Sequence, residues 1–94
     1  MSVLSPEDVE RAMSIAKGDS GRIRDIVREV ASLSGVSASE ILSNDRRAVV
    51  VLARDLVAHI AHARGFSFSA IGRALSRDHS SVMAAVRREE ARRG

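Results

Sequence analysis

Five consecutive residues, Arg77-Asp78-His79-Ser80-Ser81, carry the densest chemistry in this chain of 94 residues. An acid, an imidazole and a hydroxyl in one short run invite comparison with a hydrolytic triad. A triad needs its base held in space between nucleophile and acid, and chain neighbours do not provide that arrangement. A domain this small also has little room for a substrate cleft. No enzyme is therefore expected. The same side chains suit recognition of nucleic acid. An aspartate accepts from the exocyclic amine of cytosine, a serine hydroxyl donates or accepts, and an arginine forks onto guanine or phosphate. Asp78 also has a plain structural use as an N-cap, accepting from backbone N–H groups where a helix begins. One residue can serve both uses.

His59 and His62, three apart, are the remaining candidates for chemistry. They would share a helix face and could ligate a metal. There is no third ligand in register and no His-Glu-x-x-His pattern, so no metal and no cofactor is expected. The chain has no cysteine, which removes disulfides and thiolate sites and fits a reducing cytoplasm.

Helices must position these residues. Ser5 as cap, Pro6 at the first helical position and Glu7 and Asp8 in the first turn predict a helix start. Val9, Ala12, Met13 and Ala16 then form a narrow apolar stripe, and Gly18 closes this amphipathic helix over residues 1–18. It is expected either to cover the core or to dock a partner or a second copy. Asp19 or Ser20 opens the next helix, with Ile23, Ile26, Val27, Val30 and Leu33 on one face and Gly35 at its end. Ser37 and Glu40 form a capping box for a short helix holding Ile41 and Leu42. Asp45 to Arg64 reads as a long central helix with Val50, Ala53, Leu56, Val57, Ile60 and Ala61 inward. Val49-Val50-Val51 alone would suit a strand, but the helical period runs through it.

Ser67 or Ser69 caps a short helix carrying Ile71, Ala74 and Leu75. A tight connection at Ser76-Arg77-Asp78 leads to a last helix from about His79 to Arg92, with Val82, Met83 and Val86 inward. The stretch 87–94 is expected to fray. Two helices joined this closely make a helix-turn-helix. The fold expected is all-α, five to six helices around that motif, with residues 19–94 as its domain.

Charge is unevenly spread. Residues 1–45 hold five Lys or Arg against eight Asp or Glu, a balance of −3, whereas residues 46–94 hold ten Arg against four acids, a balance of +6. The basic half is the candidate surface for a polyanion. Phe66 and Phe68 are the only aromatics, too few for a surface that stacks single-stranded bases. No apolar run follows a positively charged start, and Ala48 to Ala53 is far too short to cross a bilayer. A cytoplasmic, nucleoid-associated protein is expected.

From about Ser20 to Arg92 the chain resembles the C-terminal DNA-binding domain, domain IV, of the bacterial replication initiator DnaA, in the Trp-repressor-like helix-turn-helix superfamily. The resemblance is carried by Ile71-Gly72-Arg73-Ala74-Leu75-Ser76-Arg77-Asp78-His79-Ser80-Ser81-Val82 and by the short helix from Val36 to Ser43. It implies that Arg46 and Arg47 lie in a basic loop, with Arg46 in or beside the minor groove. It implies that Arg54 holds a phosphate and that Asp78, His79 and Ser80 reach base edges in the major groove. Arg77 and Ser81 would contact phosphate or a base edge nearby. Ser69 stands where the family has a backbone-contacting proline.

The chain departs from the family at Ser76, which replaces one glycine of a pair, and at Asn44 and Asp45, which occupy usually basic positions. It also lacks a Gly-x-x-x-x-Gly-Lys-Ser/Thr loop, so ATP-driven origin unwinding by this chain alone is not expected. The function expected is sequence-specific binding of double-stranded DNA in transcription regulation. The expected partner is an RNA polymerase-associated or sigma-like protein, met through the N-terminal helix. The alternatives are a replication factor competing for initiator-box-like sites and an interaction module that does not bind DNA.

Overall fold

The computed structural model describes residues 22–93. The helix expected over 1–18 lies outside the described residues. Five helices follow one another within them: α1 (Ile23–Ser34), α2 (Ala38–Ile41), α3 (Ala48–Ala63), α4 (Phe68–Leu75) and α5 (His79–Arg93). There is no strand among the described residues, and Val49-Val50-Val51 lies inside α3.

Most of the apolar periodicity read from the sequence becomes the core, although Met83, expected inward, is only half-buried and Ala74 is exposed. α1 buries Ile23, Ile26, Val27 and Val30, while α3 buries Val50, Ala53, Leu56, Val57, Ile60 and Ala61. Ile41, Ile71, Leu75, Val82 and Val86 complete one continuous cluster. α3 is the central element, with α1 and α5 both packed on it and α4 packed chiefly on α5. Burial of this aliphatic surface is the main force holding so small a domain together.

Three boundaries differ from the sequence expectation, each for a local reason. α1 begins at Ile23, the first residue of its buried face, after an extended Arg22 at φ −82° and ψ 143°. α3 begins at Ala48 rather than Asp45, because the Asp45 carboxylate is committed to the loop. Its Oδ1 accepts from Arg47 N–H at 2.9 Å and from Arg47 Nε at 3.1 Å, which holds residues 45–47 out of helical geometry. α5 does not fray after Arg87 but stays helical through Arg93. Asp55 of α3, 1% exposed, receives Arg88 Nε at 3.0 Å and Arg92 Nη2 at 2.9 Å, and this clasp pins the last two turns.

The expected caps are otherwise in place. Ser37 and Glu40 form the reciprocal capping box, and Gly35 closes α1 in the left-handed region at φ 78°. Of the two serines proposed for α4, Ser67 is the cap, its Oγ accepting from Ala70 N–H at 3.1 Å.

Candidate nucleic-acid interface

α4, the turn Ser76-Arg77-Asp78 and α5 form the helix-turn-helix, and the turn is tight because the chain folds back onto α4. Arg77 N–H donates to the Gly72 carbonyl at 2.8 Å. A Cβ on Gly72 would stand 2.4 Å from the Arg77 carbonyl oxygen, so only glycine allows this approach. Ser76 makes the reversal at φ 56° and ψ 45°, a left-handed conformation that a non-glycine residue seldom adopts.

Asp78 caps α5. Its Oδ1 accepts from Ser81 N–H at 2.7 Å, and its carbonyl accepts from Val82 N–H at 3.2 Å. The Ser81 backbone N–H, more than any charge, holds the Asp78 carboxyl below the usual carboxylate range. Asp78 is therefore ionised at neutral pH, and a carboxylate with one donor in place has lone pairs left for another. His79, Ser80 and Ser81 are all exposed on the first turn of α5. These three and Asp78 make one continuous patch of polar groups.

The loop over residues 43–47 lies beside this patch. Arg46 is exposed on it. Arg47 is also exposed but pairs with Glu40 and with Asp45, the latter at 2.7 Å from Nη2 to Oδ2. Those hydrogen bonds lower both carboxyl pKa values, through the Ser37 N–H and then Arg47 for Glu40, and through Arg47 for Asp45.

Arg54 reaches the loop from α3. It is only 8% exposed, with Nε donating to the Ile41 carbonyl at 2.8 Å and Nη2 to those of Ser43 at 2.8 Å and Asp45 at 3.1 Å. It satisfies carbonyls that no helix ladder reaches, and it lines the groove beside them. Burial lowers the Arg54 pKa, and the neighbouring charge of Arg77 adds to the effect. Arg77 is half-buried and turned to the same loop. Its Nη2 donates to the Ser43 carbonyl at 2.7 Å and its Nη1 to Asn44 Oδ1 at 3.1 Å. Ser69 is exposed at the second position of α4.

A surface groove of about 930 Å³ runs between the loop, α3 and α5 as far as Arg88. Arg46, Arg54, Arg77 and Arg88 line it with Ser81, and its one acid, Asp55, already carries two arginines. The sequence reading missed Arg88 and its clasp on Asp55. The two are 33 residues apart, so no local pattern signals the pair. Elsewhere, His62 stacks on Phe68 with ring centroids 4.5 Å apart. Among the described residues no group of three His, Cys, Asp or Glu could hold a metal. None of their helices is long and apolar enough to cross a membrane.

The family model described as the bacterial dnaA protein helix-turn-helix matches residues 23–88. The chain belongs to the DnaA helix-turn-helix family. Among curated proteins, the chromosomal replication initiator protein DnaA of Agrobacterium fabrum (strain C58 / ATCC 33970) is 38% identical over 93 residues. That match takes in 93% of this chain but only 19% of the relative, so the chain spans about a fifth of that protein's length. No solved structure matches. The matched segment runs from the first residue of α1 into α5, so the DnaA-type DNA-binding domain takes in all five helices. The resemblance carried by Ile71 to Val82 thus holds for the family and for the all-α fold.

Proposed function

We propose that this DnaA-type domain binds double-stranded DNA at specific sequences and regulates transcription, either by occupying a site or by bringing a partner protein to it. The observation that carries the reading is the exposed first turn of α5, set by the Asp78 cap beside an arginine-lined groove. In helix-turn-helix proteins the start of the second helix enters the major groove. Asp78, His79 and Ser80 then read base edges, Ser81 meets a phosphate or an adjacent base edge, and Arg46 reaches the minor groove. Arg47 stiffens the loop, and Ser69 lies along the backbone. A sigma-like or RNA polymerase-associated partner would be met through residues 1–18, and the protein would sit on the nucleoid in the cytoplasm. A second reading has one observation in its favour. The 38% identity to a protein named as a chromosomal replication initiator supports competition for initiator-box-like sites.

Binding to promoter and initiator-box duplexes, measured beside a scrambled duplex, separates these readings. His79→Ala is expected to keep the fold and to lose about 1 to 3 kcal/mol of discrimination between specific and scrambled duplexes. Equal affinity of the unmodified protein for all three duplexes would overturn the sequence-specific reading.

A further inference from the structure

We propose that Arg77 is a positioning residue that ties the loop over 43–47 to the start of α5, so that the two contacts with DNA are made as one coupled unit. The inference rests on the DNA-binding reading above and adds a division of labour to it.

The main chain of Arg77 belongs to the turn of the helix-turn-helix. It is anchored to Gly72 and is followed directly by the Asp78 cap. Its side chain leaves that turn and crosses to a segment more than thirty residues earlier, with Nη2 on the Ser43 carbonyl and Nη1 on Asn44 Oδ1. Arg54 approaches the same Ser43 carbonyl from α3. One carbonyl oxygen therefore receives two guanidinium groups, one rooted in the core and one rooted in the turn just before α5.

Two like charges this close repel, and burial adds to the cost at Arg54. Charge-assisted hydrogen bonds to the loop carbonyls offset that repulsion. An anion seated in the adjoining groove would relieve it further. Arg46 is exposed two residues beyond Asn44, and the carbonyl of Asp45 just before it accepts from Arg54 Nη2 at 3.1 Å. Displacing the turn would displace Arg46, and displacing the loop would displace the cap of α5. The planar fork of arginine suits such bridging, because it offers several donors in fixed directions where an ammonium offers a point charge.

A double-mutant cycle on the full chain tests this. The probe is a fluorescent initiator-box duplex, with a scrambled duplex beside it, at salt low enough to measure all four proteins. Arg46→Ala is expected to weaken binding about ten-fold, the size of one lost contact of about 1.4 kcal/mol. In an Arg77→Ala background the same substitution should change affinity less than about two-fold, because the loop carrying Arg46, though still held by Arg54, is no longer tied to the start of α5. Asn44→Ala, an exposed change that removes one acceptor of Arg77, should reduce the Arg46 effect partway. It carries the test if Arg77→Ala does not fold. Arg77→Lys should fail to restore the full coupling. If the Arg46 and Arg77 effects simply multiply, Arg77 is an independent phosphate ligand and the coupling is refuted. If Arg46→Ala leaves both duplexes bound as before, the DNA reading of the loop fails, which is a different result from additive losses.

Discussion

Ser76 and Gly72 show how narrowly the turn of the helix-turn-helix is drawn. Ser76 holds φ 56° and ψ 45°, where a Cβ crowds the backbone. Ser76→Gly should relieve strain of about 1 to 2 kcal/mol. Against that stands the greater freedom of glycine in the unfolded chain, worth about 0.4 to 1 kcal/mol. A net stabilisation of about 0.5 to 1 kcal/mol is expected, read as a raised midpoint in urea. A lowered midpoint would mean that Ser76 does more than make the turn. Gly72 is the opposite case. Alanine there would gain about 1 kcal/mol of helix propensity. It would also press a Cβ to 2.4 Å from a main-chain oxygen. The turn has little room to yield, since Arg77 is bonded at both its N–H and its guanidinium. Overpacking strain of about 1 to 3 kcal/mol should therefore win. Gly72→Ala is expected to lower the melting temperature by several degrees, and an unchanged value would show that the turn can shift freely.

At the scale of elements, the contact between α3 and α5 decides the length of the last helix. Composition alone makes residues 87–93 a highly charged end that should be solvated and frayed. Asp55 changes this by taking Arg88 and Arg92 from one face of α5, while Arg92 Nη1 also reaches Glu89 at 3.1 Å. Breaking a fully buried pair costs about 3 to 5 kcal/mol. The Arg88 side chain is 52% exposed and regains water when Asp55 is removed, so Asp55→Ala should cost less, about 2 kcal/mol. Faster amide exchange over residues 88–93 should accompany the loss. Retention of slow exchange there would mean that apolar contacts of Ala85 and Val86 suffice. Arg54 works at the same scale. The resemblance implies that it holds a phosphate. Its partners within the protein are carbonyls of residues 41, 43 and 45, which become acceptors because the chain leaves helical geometry there.

The whole molecule has two solution signatures. One is electrostatic: an arginine-lined groove on a chain of net charge +3 should give salt-dependent DNA binding. Each phosphate neutralised contributes a log–log slope of about −0.9, so two to four phosphates predict a slope of about −2 to −4. A slope near zero in duplex titrations would exclude phosphate contacts through this groove. The other is pH-dependent stability through His59. Burial, more than the nearby Arg93, lowers its pKa. The folded protein therefore holds His59 neutral while the unfolded chain, with an ordinary value of about 6.5, takes up a proton first. Stability from this group is full above that value and declines as pH falls toward the lowered folded pKa. The melting temperature should drop between neutral and mildly acidic pH, and His59→Gln should flatten part of that drop. An identical profile in the variant would assign the effect to other groups.

Much of the molecule is legible in its sequence. Helix faces, the Ser37–Glu40 box, the Gly35 stop and the run from Ile71 to Val82 depend on residues within a few positions of each other. Local chain geometry and short-range hydrogen bonding determine the helices and their caps, and the all-α class follows; the DnaA-type assignment comes from the resemblance that the run from Ile71 to Val82 carries. Tertiary structure decided which charged side chains are spent inside the protein. Arg54 and Arg77 on the 43–45 loop, and Asp55 on the end of α5, are each paired across at least nine residues of chain, and most across more than thirty. A sequence shows that such a side chain is charged, but only the packed chain shows whether its charge faces a carbonyl, a carboxylate or solvent. That depends on which distant backbone atoms are left without partners once the helices close around the core.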